Sequence, residues 1–71
     1  MNKPYVGYKV RLGVVHLDEL TSNSFFVDEA VREEVVQDAA ILAEAFGGEI
    51  RIVSDAGQTL LTIPSIPKVH A

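Results

Sequence analysis

The stretch that decides the fold is residues 28–57, which read DEAVREEVVQDAAILAEAFGGEIRIVSDAG. From Asp28 to Phe46, apolar residues recur at intervals of three and four, which is the period of an amphipathic α-helix. Asp28 is suited to cap this helix, and Gly47-Gly48 is suited to end it, because glycine adopts the left-handed C′ conformation without steric cost. The pattern therefore predicts one helix that packs a single face against the rest of the fold.

A β-hairpin is predicted directly after the helix. Residues 49–54 alternate in polarity, and the following Ser-Asp-Ala-Gly fits a type I turn with a left-handed glycine. A loop of this type pairs Val53 with Thr59 and Ile52 with Leu60. One-residue slips exchange the two faces of a strand, so this register also assigns each residue to a face. The first face carries Ile50, Ile52 and Leu60, and the far face carries Arg51, Val53, Leu61 and Ile63.

The N-terminal part of the chain predicts one long strand, from Tyr5 to Leu17, because apolar residues recur there at every second position. The alternation changes after Gly13, which indicates a bulge at that glycine. Residues 18–24 are rich in turn formers and are predicted to form a loop. Residues 25–27, Phe-Phe-Val, are either a short strand or an apolar segment packed beneath the helix.

Together these elements predict an α+β fold in two layers, with one amphipathic helix packed on a small, mainly antiparallel sheet. The element order is β-α-β-β, or β-β-α-β-β if residues 25–27 form a strand. We expect a single domain over residues 1–63 and an extended, proline-containing tail over residues 64–71. The predicted core combines one helix face with apolar strand residues: Val6, Tyr8, Val10, Leu12, Val31, Val35, Ala39, Leu42, Phe46, Ile50, Ile52 and Leu60.

The composition limits how so small a chain can be stabilised. A domain of this size buries only about 60% of its unfolded surface, so it is marginal alone and is usually stabilised by disulfides, a metal or oligomerisation, with efficient packing as the alternative. The chain has no cysteine, and its two histidines, His16 and His70, lie far apart in the sequence. We therefore predict no metal and no cofactor. Because 48% of the residues are hydrophobic, self-association is favoured, most simply as a homodimer.

The N-terminal residues indicate the cellular location of the protein, and the net charge indicates which classes of partner it can bind. Residues 1–4 lack the apolar segment of a signal peptide, and no run of about 18 apolar residues is present to span a membrane. These features predict a cytoplasmic protein without membrane contact. The net charge of −4 makes a nucleic-acid partner unlikely, since phosphate binding requires a basic patch.

Apolar residues outside the predicted core indicate where a second copy would bind. Ile41 lies opposite the core stripe of the helix, so it is either a lone exposed aliphatic residue or a contact in an oligomer. The predicted far face of the sheet adds Val53, Leu61 and Ile63, and the tail adds Ile66. This surplus is either covered by the tail or forms a sheet-to-sheet or edge-to-edge interface. We favour the interface.

No catalytic motif, metal-binding motif or nucleotide-binding loop occurs in the sequence, and we predict no enzyme activity. The ionisable residues near the predicted strand ends are His16, Asp18, Glu19 and Arg51, and they are the candidates for a ligand site between subunits. The acidic residues between Glu29 and Glu44 are typical of a solvated helix face.

The sequence thus predicts a non-enzymatic protein-interaction module that self-associates, and it leaves open an unidentified protein partner. Two alternatives remain open. One is a ligand-binding or enzymatic domain whose site lies at the subunit interface, and the other is an acidic inhibitor that mimics nucleic acid.

Overall fold

A computed structural model describes residues 3–64, and it places them in one small α+β domain with two helices and a four-stranded mixed sheet. The elements are β1 (Tyr8–Arg11), β2 (Val14–Leu17), α1 (Glu19–Val27), α2 (Glu29–Phe46), β3 (Ile50–Val53) and β4 (Thr59–Ile63). The strands lie side by side in the order β1-β2-β3-β4. The two outer pairs are antiparallel and the central pair, β2 with β3, is parallel. The predicted α+β class is confirmed.

The predicted single strand from Tyr5 to Leu17 is wrong, because the chain reverses at Leu12-Gly13 and forms a β-hairpin. Both turn residues have positive φ, +50° at Leu12 and +79° at Gly13. This combination belongs to a type I′ turn, whose twist matches that of the flanking strands. Asn and Gly are the usual residues in such a turn, and a leucine at positive φ is an outlier. The glycine that indicates a bulge in the sequence is thus the second turn residue.

The predicted loop over residues 18–24 is also wrong, because these residues form the N-cap and most of α1. The Asp18 carboxylate accepts a hydrogen bond from the Thr21 N–H at 2.7 Å, which caps the first turn. Residues 25–27 continue the helix, so the strand alternative is wrong. Phe25 points inward and is buried in the core. Of the Phe-Phe-Val segment, Phe25 therefore packs into the core from a helix, while Phe26 and Val27 are exposed.

The prediction of α2 is confirmed at both ends. The Asp28 carboxylate accepts a hydrogen bond from the Ala30 N–H at 3.0 Å. Gly47 has φ +80° and its N–H donates to the Ala43 carbonyl oxygen at 2.9 Å, which closes the last turn. The inward face repeats every fourth residue and is buried: Val31, Val35, Ala39 and Ala43.

The core lies between the two helices and one face of the sheet. Val31, Val35, Ala39, Ile50 and Ile52 are buried as predicted, and Val6, Tyr8, Leu42 and Leu60 are partly buried against them. The prediction is wrong for the exposed Val10, Leu12 and Phe46, and it missed Val15, Leu17, Phe25 and Ala43. The hairpin explains most of the difference, because it places β2 rather than β1 next to β3.

The β3–β4 hairpin keeps one predicted pair and loses the other. Val53 pairs with Thr59 as predicted, whereas Ile52 pairs with Leu61 and not with Leu60. A bulge opposite Ile52 and Val53 therefore makes Leu60 the extra residue of β4.

Because of this bulge, the side chains of Leu61 and Ile63 lie on the face of the sheet opposite to the predicted one. Ile63 pairs with the buried Ile50 and packs against the core, so it lies on the helix side of the sheet. Leu61 pairs with the buried Ile52 and borders α2. The predicted far-face position of Leu61 and Ile63 is wrong, while Val53 does lie on the far face by strand alternation. Val53 is nevertheless buried there, with 4% of its surface exposed.

The tail prediction concerns residues that the structure does not describe, since residues 65–71 lie outside the described range. The proposed interface residue Ile66 belongs to this segment. Neither helix of the described range is long and apolar enough to cross a membrane.

Candidate interaction surfaces

The β4 strand forms one edge of the sheet, and its outer side faces no other strand among residues 3–64. Its sequence, Thr-Leu-Leu-Thr-Ile, carries no charge. Edge strands of soluble proteins usually carry lysine, proline or a bulge that discourages pairing with another chain. Here the bulge at Leu60 lies near the start of β4 and Pro64 follows its end, so residues 61–63 remain regular and uncharged.

An apolar strip runs along the helix side of this edge. Ile41 projects from α2 with 67% of its surface exposed, and it lines an open cleft of about 190 Å³ together with Ile63 and Pro64. Leu61 is 39% exposed. It lies two residues before Ile63 on β4, beside Val36 of α2. We call Ile41, Leu61, Ile63 and Pro64 the edge strip. It brings together three of the five residues predicted at an interface, whereas Val53 lies on the opposite face of the sheet.

The face of the sheet opposite the helices carries two rows of side chains that run across the strands. Strand pairing sets the first row as Arg11, Val14, Arg51 and Thr62, and the second row as Lys9, His16, Val53 and Thr59. We call these eight residues the open face. Its four ionisable members are all basic, and all four are exposed: Lys9, Arg11, His16 and Arg51. No residue of the four described strands is acidic, so the carboxylates of residues 3–64 lie on helices and loops.

The four residues predicted for a ligand site do not form one site. His16 and Asp18 line an open cleft of about 470 Å³, beside Lys9 and the loop of residues 54–57. This cleft lies at the carboxyl ends of the parallel strands β2 and β3. Glu19 is exposed on α1, and Arg51 is exposed in the other row of the open face, so neither lines the cleft.

Hydrogen bonds inside the protein occupy two of the five polar side chains that line this cleft, Asp18 and Ser54. The Asp18 carboxylate accepts hydrogen bonds from the Tyr5 hydroxyl at 2.5 Å and from the Thr21 N–H. These contacts hold the pKa of Asp18 below its ordinary value, because they favour the ionised carboxylate. The Ser54 hydroxyl oxygen accepts hydrogen bonds from the N–H groups of Ala56 and Gln58, at 3.2 and 3.1 Å. Asp18 and Ser54 thus stabilise a helix end and a turn.

Two further apolar groups are exposed on the described surface. Leu12 and Phe46 border an open groove between the β1–β2 turn and the end of α2. Leu20, Phe26 and Val27 project from α1. Neither group adjoins an uncharged strand edge, which distinguishes both from the edge strip.

Within residues 3–64, no group of three or more His, Asp or Glu side chains is placed to hold a metal ion. Comparison with protein-family models, with curated proteins and with solved structures finds no significant match to this chain.

Proposed function

We propose that the protein is a small, non-enzymatic interaction module that forms a two-fold homodimer through the β4 edge. The observation that carries this proposal is the uncharged β4 strand beside the exposed edge strip. An unpaired strand edge offers backbone hydrogen bonds to another chain, and the adjacent apolar side chains add buried area when that chain binds.

Antiparallel pairing of β4 with the β4 strand of a second copy fits a two-fold axis perpendicular to the sheet. This arrangement extends the four strands to a continuous sheet and keeps the α2 helices of both copies on the same side. Ile41 then approaches the axis from α2, and Leu61 approaches it from β4. The exposed aliphatic surface of both residues becomes buried.

Sheet-to-sheet packing is the other arrangement that the sequence leaves open, and the charges of the open face argue against it. Packing two open faces together would bring Lys9, Arg11 and Arg51 of one copy against the same cations of the other. Like charges opposed at an interface cost several kcal/mol in order of magnitude. We therefore propose the edge-to-edge dimer.

The other two functions receive less support from the structure. A ligand-binding or enzymatic role needs free polar groups in the cleft, and two of the five polar side chains that line it, Asp18 and Ser54, are already hydrogen-bonded. An acidic mimic needs an uninterrupted negative face, whereas the exposed Ile41 interrupts the acidic side of α2. We also propose a cytoplasmic location, which the absence of cysteine favours.

Sedimentation equilibrium of the full chain tests the proposal. We expect a species of twice the 7.7 kDa chain mass at micromolar concentration. Ile41→Glu and Leu61→Glu should each weaken the dimer at least about tenfold, because each buries a charge at the interface. The matched control is Leu20→Glu, which places the same charge at a similarly exposed residue of α1 and should leave the dimer unchanged.

Two results would contradict the proposal. The first is a monomer of the wild-type chain at hundreds of micromolar, on the order of the weakest specific homodimers. The second is an equal loss of association in the Leu20→Glu control, which would place the interface elsewhere. Circular dichroism of each variant shows whether the fold is retained.

A further inference from the structure

The open face concentrates positive charge on a protein that is otherwise acidic. The chain has ten Asp and Glu residues and a net charge of −4, yet Lys9, Arg11 and Arg51 share this face with His16. Asp18 and Asp55 border the end of the face near Lys9 and His16, and Glu49 directly precedes β3 at the other end. The row of Arg11, Val14, Arg51 and Thr62 itself contains two cations and no carboxylate.

The spacing of these cations is fixed by the sheet. Arg11 and Arg51 lie in one row with a single strand between them, so their backbones are about 9.5 Å apart. Lys9 and Arg11 are two residues apart on β1, which corresponds to about 7 Å. Carboxylates at positions i and i+7 of a helix are about 10.5 Å apart along its axis, and those at i and i+4 about 6 Å. An acidic helix that crosses the strands therefore matches the Arg11–Arg51 interval, and one that lies along β1 matches the Lys9–Arg11 interval.

We propose that the open face binds an acidic segment of a second protein. Arg11 and Arg51 are suited to this role, because a guanidinium group donates two parallel hydrogen bonds to one carboxylate. Val14, Thr59 and Thr62 lie in the same two rows and provide uncharged surface against which the apolar side chains of such a segment can pack. This surface is separate from the edge strip, so the inference does not depend on the dimer.

The same face lacks the features of a nucleic-acid surface. Neither row contains Phe, Tyr or Trp, and His16 is the single ring of the two rows on which a base could stack, although stacking usually contributes much of the affinity for single strands. The surrounding helices and loops are acidic, so the protein as a whole repels a long polyanion. A short acidic peptide contacts the two rows without approaching the helices, which lie on the other side of the sheet.

Fluorescence anisotropy with the full chain and defined probes tests this inference. The first probe is an amphipathic peptide of roughly 15 residues with Glu at i, i+4 and i+7 spacings and Leu between them. The second is the same peptide with every Glu replaced by Gln, and the third is an oligothymidine of similar length. We expect the Glu peptide to bind at least about tenfold more tightly than either other probe, and to weaken as salt rises.

Two variants locate the binding surface. The double variant Arg11→Gln, Arg51→Gln should weaken binding of the Glu peptide at least about tenfold. The control Arg32→Gln removes a cation from α2, in the other layer of the fold, and should change the affinity less than about twofold. Chemical-shift changes in the wild-type protein provide a readout without substitution, and they should be concentrated in the four strands and absent from α2.

Four outcomes would overturn the inference. Tighter binding of oligothymidine would make the face a nucleic-acid surface, and equal binding of the Gln peptide would remove the role of the cations. An equal effect of Arg32→Gln would show non-specific charge attraction. Self-association that disappears in the double arginine variant would assign the face to a second copy of this chain.

Discussion

The two edge strands of the sheet, β1 and β4, both have backbone groups on their outer side that another chain could pair with, and the two strands differ in charge. The β1 edge, Tyr-Lys-Val-Arg, carries two cations in four residues, whereas the five residues of β4 carry none. A charged edge discourages pairing with another chain, and an uncharged edge permits it. We therefore predict that the charge of the edge strands, more than their length, determines which side of this sheet is available for association.

Hydrogen bonds also connect the start of β1, at Gly7 and Tyr8, to the N-cap of α1, to α1 and to α2. The Gly7 carbonyl oxygen accepts from the Asp18 N–H at 3.0 Å, and the Gly7 N–H donates to the Thr21 hydroxyl at 2.8 Å. A side chain at Gly7 would collide with the Asp18 carboxylate, so only glycine permits this close approach. The Tyr8 hydroxyl donates to the Asp38 carboxylate of α2 at 3.0 Å.

The largest expected effect comes from making the β1 edge resemble the β4 edge. In the variant Lys9→Thr, Arg11→Thr, both cations are lost and strand propensity is retained. Two uncharged edges allow each copy to bind on both sides, so we expect assemblies larger than the dimer that grow with concentration. Sedimentation velocity measures this growth.

The control for this variant is Arg51→Thr, which removes a cation from the interior strand β3 and exposes no new edge. It should keep the oligomeric state of the wild type. If the double β1 variant keeps that state as well, charge does not distinguish the two edges and the comparison fails.

A smaller effect is expected at the turn that leads from β1 to β2. Leu12 has φ +50° and is 86% exposed, so it combines an unfavourable backbone conformation with little burial. Leu12→Asn should stabilise the fold by about 1 kcal/mol, because asparagine tolerates the left-handed region. Thermal unfolding should show a melting temperature about 4–8 °C higher for each kcal/mol.

Leu20→Asn is the matched control, because Leu20 is also an exposed leucine but lies within α1. It should give no stabilisation, since asparagine is a poorer helix former than leucine. A lower melting temperature for Leu12→Asn would show that the Leu12 side chain contributes more through contacts than its backbone strain costs.

The smallest effect concerns the hydrogen bonds that hold the β1 side of the sheet to α1. The Tyr5 hydroxyl, followed by the Thr21 N–H, lowers the pKa of Asp18 below its ordinary 3.8. The stabilisation from the ionised carboxylate is therefore complete above that pH, and it is lost as the pH falls through the lower pKa of the folded state. Asp18→Asn should reduce the melting temperature at neutral pH, and the difference should shrink in acid.

Glu19→Gln removes the same charge from the adjacent residue and controls for the overall change in charge. At neutral pH its melting temperature should differ less from that of the wild type than the melting temperature of Asp18→Asn does, because Glu19 is exposed and does not cap α1. If the difference in melting temperature between Asp18→Asn and the wild type stays constant down to strongly acidic pH, the role of the ionised carboxylate is contradicted.

The sequence was sufficient to predict α2 and the α+β class, since the helix has a complete apolar face and a capping residue at each end. It was insufficient at the β1–β2 hairpin, because Leu12 occupies a turn position where Asn or Gly normally identifies the turn. It was insufficient at α1, because Ser, Thr and Asn suit loops as well as helix N-termini. The contacts of Phe25 with the core belong to the tertiary structure, and local propensity does not contain them.

The edge strip shows how a surface can be anticipated in part. Ile41 was identifiable from the helical period alone, and it is exposed as the helical wheel predicts. Ile63 lies beside Ile41, and Leu61 lies beside Val36, because the bulge at Leu60 turns both strand residues to the helix side, which the regular hairpin register did not predict. The two basic rows were not predicted at all, since they exist only once β1 and β2 pair with each other and β2 pairs with β3.

Amide hydrogen exchange of the full chain over a range of concentrations tests the difference between the two edges most directly. As the concentration rises through the association range, the β4 amides that point away from β3 should gain protection, while the outward amides of β1 should not. Protection that increases at β1, or that increases at neither edge while the mass doubles, would contradict the assignment of the dimer to β4.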